Sequence, residues 1–524
     1  MPDVYANLCR TTKMTKPRVL GQAFLWALAA SAMQWLSGCA SLQPQPLATG
    51  DLRPAIGADR EVARAGVEPL ASPLTLPEAL ARALKYNLDR RAKMMEEALA
   101  LNQFEAGKYD MLPRLLASAG YQTRNNDRIS ESRSAADGSL SPSRFISQER
   151  SHELLGLDLS WSVLDVGLGY YGARQQADRV LIASERRRKA MHLLMQDVRT
   201  AYWRAASAQK LRGDVERTLA MAEEALADAR KAEQERVRNP LDTLRYQRQL
   251  LENMRLLESI DQELSAAQLE LAALVNAPLD RPLRIADAQP EIRDDGLAAL
   301  DVQRLEDIAL ENNADLREQH YNGRIAREEV RRTLVRLFPN VSFNYGVKYD
   351  SDSYLVNRQW NEAGLQLSFN LFNLLTGPSQ VKLAQAGVAL ADQRRIALQM
   401  TVVTQVHLAR LQVLNARSQF ARADAIYVAD VRIADHMRNR ETALAQSKLD
   451  RVGNETAAIL SLLRRYQALA QVQACESRLA ANLGMEPRIG NTDELTLAAL
   501  TEQIGGAGAN WLQVAAPQPA VVKP

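Results

Sequence analysis

The sequence predicts a mixed α and β membrane protein built from two copies of one helix–strand–strand–helix unit. Three observations lead to this prediction. The chain matches itself at a nearly constant shift, four segments alternate apolar and polar residues, and two helical segments are too long for a globular domain. The composition agrees, because a chain with 46% hydrophobic residues is too apolar to stay disordered.

The first 38 residues have the pattern of an export signal. Basic residues within positions 10–18 precede an apolar stretch over 19–36, and small residues follow up to Cys39. A transmembrane helix is the alternative, but polar residues interrupt a stretch that is barely long enough to span a bilayer. The ending LSGC resembles the lipobox of bacterial lipoproteins, which implies lipid attachment at Cys39. Ala40, where an inner-membrane retention signal has Asp, implies sorting to the outer membrane.

The rest of the chain contains an internal duplication. Residues 76–87 match residues 302–313, a shift of 226 (313 − 87), whereas residues 156–161 match 364–369 at a shift of 208 (364 − 156). The difference of 18 (226 − 208) falls in a stretch rich in Ser, Asn, Asp and Arg over residues 125–147. Such a stretch predicts an exposed loop that is longer in the first copy than in the second.

The duplication sets the predicted segment boundaries. The signal peptide covers 1–38, and a lipidated linker covers 39–73. The other four segments are repeat 1 at 74–279, a second linker at 280–297, repeat 2 at 298–489 and a C-terminal tail at 490–524.

Each repeat begins with a helical segment, over 76–112 and over 302–338. Pro113 and Pro339 follow these segments directly. Because proline removes a backbone donor and clashes with the preceding turn, we expect each helix to end there and a strand to begin.

Four segments alternate apolar and polar residues, at 115–122, 155–163, 341–349 and 365–371. A transmembrane β-barrel strand needs this period of two, with lipid on one face and water on the other. A half-buried strand of a soluble sandwich shows the same alternation, so both interpretations stay open here. Four strands cannot close a water-filled barrel. In a bilayer their unpaired edges would be costly, so closure would need more than one copy of the chain.

Long helical segments complete each repeat. Residues 165–238 contain no proline, and as one helix they would span roughly 110 Å. Apolar residues spaced by three and four positions predict coiled-coil packing between this segment and the next after a reversal near 237–240. The two rows are Leu211, Val215, Leu219, Ala222, Leu226 and Leu257, Ile260, Leu264, Ala267, Leu271, Leu274. The matching reversal is expected near 440–447.

Charged and metal-binding residues argue against several other classes of protein. The net charge of +3 gives no reason to expect a nucleic-acid partner. Three cysteines and five scattered histidines form no metal-ligand pattern, and no phosphate loop or nucleophile motif occurs, so no metal, no cofactor and no enzymatic activity are expected. Cys475 is expected to be buried in a helix seam, with a reactive thiol as the alternative. Residues 186–189, a basic run, are expected on a solvated helix face, with a binding patch as the alternative.

The chain resembles the TolC-type outer-membrane efflux channels. The resemblance rests on an ordered set of features: the lipobox, the duplicated units, Pro113 and Pro339 before strands, and an LxxLD-like motif at the helix reversals. Among these channels, the chain resembles the lipid-anchored branch, the NodT-type outer-membrane efflux lipoproteins. The resemblance covers about residues 74–487. It implies a homotrimer in which each protomer gives four strands to a twelve-stranded β-barrel and its helices to a long α-helical barrel. It also implies passive conduction from an inner-membrane transporter through a periplasmic adaptor, across the outer membrane of a Gram-negative bacterium.

The family's narrow point lies at the helix reversals, near a motif like S-x-x-D-V-L-D. Residues 447–453 match it in part, with Asp450 at the first acidic position and Gly453 at the second. Asp242 lies at the paired site of the other repeat. The resemblance implies rings of Asp242 and Asp450 as a candidate gate, which would favour cations. The alternative is that each Asp caps the start of a helix.

A periplasmic coiled-coil lipoprotein acting as a scaffold or adaptor is the alternative function. It explains Cys39 and the long helices, but it does not explain four alternating strands in duplicate.

Overall fold

The computed structural model describes residues 46–70, 73–235, 240–286, 301–442, 448–485, 492 and 494–507. The chain divides into two compact units, Met1–Gly66 and Val67–Pro524. The predicted signal peptide, the predicted lipid attachment site Cys39 and most of the C-terminal tail lie outside the described residues. Within the predicted first linker lies α1 (Thr49–Arg64), a helix with no buried residue.

The helical segment that opens each repeat is a pair of helices. The first pair is α2 (Leu76–Tyr86) and α3 (Leu88–Lys108), followed by a short 3₁₀ turn at Tyr109–Met111. The expectation of one continuous segment is wrong, because the backbone of Asn87 is extended and its side chain caps the helix that follows.

The stretch expected to be a loop contains a β-hairpin. After β1 (Arg114–Thr123), the chain forms β2 (Ile129–Arg133) and β3 (Leu140–Ile146), which pair antiparallel. Gly138 in the connecting turn has a φ of 71°, a conformation that glycine adopts without steric cost. The polar composition of residues 125–147 predicted their exposure correctly for the described side chains. It gave no sign that the turn at Gly138 would let the flanking residues pair as strands.

The long helices dominate the second unit. β4 (Ser151–Ser162) runs directly into α4 (Val163–Gln234), and α5 (Pro240–Leu274) follows. Because each helical residue adds ~1.5 Å, the 72 residues of α4 span about 108 Å. The predicted seam between α4 and α5 is confirmed, since Leu211 and Val215 are buried in one cluster with Leu257, Ile260 and Leu264.

The second half repeats this order of elements. It contains α6 (Val302–Asn312), α7 (Ala314–Arg336), β5 (Asn340–Asp350), β6 (Gln359–Ser368), α8 (Asn373–Thr442) and α9 (Lys448–Leu483), and α10 (Leu497–Ala507) follows. The helix pair α6 and α7 breaks at Asn313 as the first pair breaks at Asn87. β6 begins earlier than predicted and ends at Ser368, because Asn370 caps a turn by accepting the amide of Phe372 at 3.0 Å.

The main hydrophobic core lies where the short helices α2, α6 and α10 pack against the long helices. Tyr86, Tyr202, Leu271 and Leu305 are almost completely buried in it. Cys475 lies in the same cluster with 3% exposure, so its predicted seam position is confirmed. Burial also raises the pKa of the Cys475 thiol. Among the described helices, none combines the length and hydropathy needed for a membrane span.

Candidate functional site

The four long strands form one antiparallel sheet in the order β1–β4–β5–β6. The register places apolar side chains opposite each other on one face, such as Leu157 between Ala117 and Val347. The same face includes Leu115, Leu155, Leu159, Trp161, Val341, Phe343, Tyr345, Leu365 and Leu367. The four strands therefore lie where the alternation predicted them.

This apolar sheet face is exposed. Leu115 is 64% exposed, Leu157 44%, Trp161 48% and Leu365 76%. A soluble sandwich would cover such a face with a second layer, and none of the described residues does so. A continuous apolar face of this kind marks contact with a partner or with lipid.

The opposite face of the sheet is polar and contains ion pairs. The Lys348 ammonium contacts the Asp158 carboxylate and lies 3.8 Å from a carboxylate oxygen of Glu362. Gly156 and Gly346 make room for these side chains. A Cβ at Gly156 would lie 2.7 Å from Ser118 Oγ, and one at Gly346 would lie 2.9 Å from Asp158 Oδ1. Larger residues at these glycines would displace the charged side chains.

A buried histidine cluster lies at the end of this face that is remote from the long helices. His152 Nδ1 is 2.6 Å from Asp350 Oδ1, and both residues are buried. The Asp352 carboxylate accepts the amides of Glu149 at 3.2 Å and Tyr354 at 3.1 Å. These bonds join the β5–β6 loop to the segment before β4. No local sequence pattern indicates this cluster, because its members lie about 200 residues apart.

The order of the helices follows the order of the strands. α3 precedes β1, β4 continues into α4, α7 precedes β5, and β6 precedes α8. α4 packs against both α3 and α7, and α7 also packs against α8. The helix layer α3–α4–α7–α8 thus continues the sheet, and both layers have their free edges on the same two sides.

The junctions between the two layers include the predicted prolines. Pro113 directly precedes the first residue of β1, and Pro339 directly precedes that of β5. Ser162 caps α4 by accepting the amide of Asp165 at 3.1 Å, and its hydroxyl donates to Asn340 Oδ1 at 2.8 Å. These contacts fix the angle at which strands continue into helices.

Both edges of the combined layer have an edge strand without a second partner and exposed apolar helix residues. Among the described residues, β1 pairs only with β4, and β6 pairs only with β5. The helices below them carry exposed apolar side chains: Leu88, Met95 and Leu99 on α3, and Ile396, Met400 and Leu408 on α8. Edge strands and apolar helix faces that lack a cover are typical of surfaces that meet another subunit.

Asp242 lies in the first turn of α5, with its side chain 65% exposed. The nearest described cationic atom is Arg245 Nη1 at 3.8 Å. Further along these helices, Ala222, Leu250 and Val452 belong to one buried cluster. Asp450 lies in α9, but its side chain and the two reversals lie outside the described residues. Both the gate and the cap interpretation of Asp242 and Asp450 therefore remain predictions.

The basic run at residues 186–189 forms ion pairs with other helices, and two of its side chains, Arg186 and Lys189, are exposed. Arg186 pairs with Glu318 at 2.7 Å, Arg187 with Glu97 at 2.7 Å and Lys189 with Asp315 at 2.8 Å. Arg188 is buried, contacts Glu185 and donates to the backbone oxygens of Asn312 and Gly484. The hydrogen bond to Glu318 raises the pKa of the Arg186 guanidinium. The expected solvated face is therefore found for Arg186 and Lys189 but not for Arg188, whose backbone partners lie on other elements.

In the described part of the chain, no three His, Cys, Asp or Glu residues come together in a way that could hold a metal ion.

Comparison with known proteins gives a clear result for the fold. No family model matches the sequence, and no curated protein matches it either. Among solved structures, the outer membrane channel CmeC of Campylobacter jejuni is similar over 82% of this chain and 89% of its own, with 12% identity and a TM-score of 0.62. The MtrE outer membrane channel of Neisseria gonorrhoeae, solved in its open state, is similar over 78% and 88%, with 16% identity and a TM-score of 0.59.

A third match is the outer membrane protein VceC of Vibrio cholerae, similar over 78% of this chain and 96% of its own, with 13% identity and a TM-score of 0.55. At these identities the similarity shows the fold alone. The chain has the fold of the TolC-type outer-membrane channels.

Proposed function

We propose that three copies of this chain form a passive channel across the outer membrane of a Gram-negative bacterium. One observation carries the proposal: a sheet with an exposed apolar face and two free edges continues into a helix layer with the same order and the same free edges. A single copy leaves these edges unpaired, and in lipid each unpaired backbone group costs several kcal/mol.

Three copies remove both free edges. β6 of one copy would pair with β1 of the next, which gives twelve strands (3 × 4). Strands of ten residues, such as β1 and β6, reach about 33 Å when fully extended, which at a tilt of about 40° covers a membrane core of roughly 25 Å. The exposed apolar residues of α8 would meet those of α3 on the neighbouring copy.

The two faces of the sheet fit the two solvents that a barrel separates. The apolar face would meet lipid, and the polar face with Asp158, Lys348 and Gln366 would line water. The polar face supports this orientation because an ion pair directed into lipid would be costly.

The helices would extend into the periplasm. α4 and α8, with 72 and 70 residues, each span more than 100 Å by the rise of ~1.5 Å per residue. Their far ends would meet a periplasmic adaptor and an inner-membrane transporter, which supplies the cargo. The channel would conduct without performing a reaction, and Asp242 and Asp450 would form acidic rings at its periplasmic end.

The lipid-anchored branch of the family remains part of the proposal. Cleavage after residue 38 and acylation of Cys39 would hold the N-terminus at the outer membrane, since each buried methylene contributes ~0.8 kcal/mol. The two repeats, 74–279 and 298–489, are supported by equivalent hydrogen bonds at Asn87 and Asn313.

Two measurements test this function. The purified protein is expected to migrate as a heat-modifiable trimer and to give single-channel currents in planar bilayers. The exposed apolar sheet face argues against the alternative scaffold lipoprotein, which would conduct nothing. A protein that stays monomeric in detergent and carries no current would exclude the channel.

A further inference from the structure

A groove of about 1120 Å³ runs along α7, with α4 and α8 as its walls. The α7 residues along its floor, such as Asn322, Glu329 and Thr333, are half-buried or buried. Arg327 and Arg331, on the opposite side of α7, are exposed. The groove therefore lies on the more covered side of α7. If three copies close the helix layer into a tube, as proposed above, the helices are most crowded on its inner side, so this covered side would be the concave one.

The groove is strongly basic. Four arginines line it, Arg179 from α4, Arg332 and Arg336 from α7, and Arg394 from α8, whereas Glu329 is its one acidic residue. The net charge of the lining is thus +3 (4 − 1) per copy. Like-charged guanidinium groups gathered in one groove attract anions and repel cations.

The arginines are available for a ligand. Arg179, Arg336 and Arg394 form no ion pair with any described residue, and all three are exposed. Glu329 accepts a hydrogen bond from Gln175 at 2.9 Å and lies 3.8 Å from Arg332. Nε of Arg332 is buried without a hydrogen-bond partner among the described residues.

The α8 wall adds apolar surface beside these charges. Leu383 is 75% exposed and Leu390 is 52% exposed, and nothing lies near the position of a Cβ on Gly387 between them. Ligand sites typically combine an apolar lining with a few charged groups that fix orientation. Guanidinium groups bind carboxylates, sulfonates and phosphates through paired hydrogen bonds.

We propose that this arginine groove binds organic anions with an apolar body. The inference rests on the proposed function, because the concave side lines a conduit only when three copies close the helix layer. The three grooves then face one water-filled space and concentrate anions in it.

The test is the reversal potential of the purified full-length channel in planar bilayers under a KCl gradient at low ionic strength. The triple variant Arg179→Gln, Arg336→Gln, Arg394→Gln is expected to shift the reversal potential away from chloride. The control Arg327→Gln removes an exposed charge from the opposite side of α7 and is expected to leave it unchanged, as a match for Arg394→Gln alone. Arg324 and Arg331 are kept, because they pair with the buried carboxylates of Asp178 and Glu328. The shift should shrink at 1 M salt, where the screening length is only about 3 Å. If the triple variant does not assemble, Arg394→Gln alone carries the test, because Arg394 is exposed on α8.

Blocking supplies a second measurement. Naphthalenesulfonate is expected to reduce the wild-type current more than naphthylmethylammonium does, and the triple variant should lose this difference. A conducting channel whose selectivity and block are the same in wild type and triple variant overturns the anion groove and leaves the channel intact. Phospholipid phosphorus that copurifies with the wild type but not with the triple variant also overturns it, since a lipid then occupies the groove. A wild-type protein that carries no current overturns both proposals.

Discussion

Asn87 and Asn313 make the same two hydrogen bonds at corresponding joints. Each side-chain oxygen accepts the amide three residues later, Arg90 at 3.0 Å and Leu316 at 3.1 Å. Each side-chain amide donates to the end of a long helix, to the Leu274 oxygen at 3.3 Å and to the Asn482 oxygen at 3.0 Å. Each Asn side chain thus caps the start of one helix and satisfies a carbonyl at the end of another helix. These two bonds attach the short helix pair of each repeat to the long helices of that repeat.

We expect Asn87→Ala and Asn313→Ala each to destabilise the protein by about 1–3 kcal/mol, because each loses a cap and leaves a helix-end carbonyl without its partner. The double variant should show the sum, since distant sites behave additively. Thermal unfolding followed by circular dichroism measures both effects. Asn415→Ala, at an exposed position of α8, should change stability little. An effect at only one of the two joints would contradict their equivalence.

Gly484 ends α9 in a left-handed conformation with φ of 65°, and a Cβ there would overlap the carbonyl oxygen of Asn312. Gly484→Ala should therefore destabilise the protein by more than the ~1 kcal/mol of left-handed strain alone. Gly213→Ala is the matched control. Gly213 lies inside α4 with open space around it, so alanine there should stabilise by about 0.5–1 kcal/mol. Thermal unfolding of the two variants should shift in opposite directions.

The periodic elements of this fold could be predicted from sequence, and the joints between them could not. Alternation located all four strands of the main sheet, and heptad spacing located the seam of Leu211 with Leu257. Asn87 was missed because an Asn inside a helical pattern reveals its capping role only through its distant partner, Leu274. The start of β6 was missed because Asn361 lies on the apolar face and Trp360 lies on the polar face, which breaks the alternation.

The candidate site shows the same limit. The apolar sheet face is exposed because no other described part of the chain covers it. A local sequence pattern cannot predict which faces distant parts of the chain will cover. The arginine groove gathers Arg179, Arg336 and Arg394 from three helices, so their common location depends on helix order. The ion pairs of residues 186–189 were missed for the same reason, because Glu97 and Glu318 reach them from α3 and α7.

Leu365 and Gln366 are neighbours on opposite faces of the sheet, and they test which face meets lipid. Leu365 lies opposite Phe343 on the apolar face, and Gln366 lies opposite Ser342 on the polar face. Leu365→Arg should cost about 2–4 kcal/mol at mid-membrane depth and less toward either interface, whereas Gln366→Arg should assemble normally. The yield of heat-modifiable trimer in outer membranes measures this. Equal yields from both variants would contradict the proposed orientation.

Tyr202 predicts a loss of stability in alkali. Burial raises the pKa of its phenol to about 12, and the hydroxyl donates to the Leu74 oxygen at 3.3 Å. The unfolded chain loses this proton near pH 10. The contribution of the Tyr202 phenol to folding stability is therefore complete below pH 10 and is lost as the pH rises toward 12. Tyr202→Phe should be less stable at neutral pH by about 1 kcal/mol, through the lost hydrogen bond, and should lose less on alkalinisation. Parallel alkaline losses in both proteins would show that other groups are responsible.

Asparagine substitutions separate the two interpretations of Asp242 and Asp450. Asparagine caps a helix as well as aspartate does, but it carries no charge. If the carboxylates form rings at the periplasmic end, Asp242→Asn with Asp450→Asn should raise the resting conductance and lower the preference for cations, with thermal stability unchanged. The corresponding alanine pair should also lose stability if the side chains cap, by about 1 kcal/mol per site. If neither pair of substitutions changes the conductance, the interpretation of Asp242 and Asp450 as acidic rings is wrong and the capping interpretation stands.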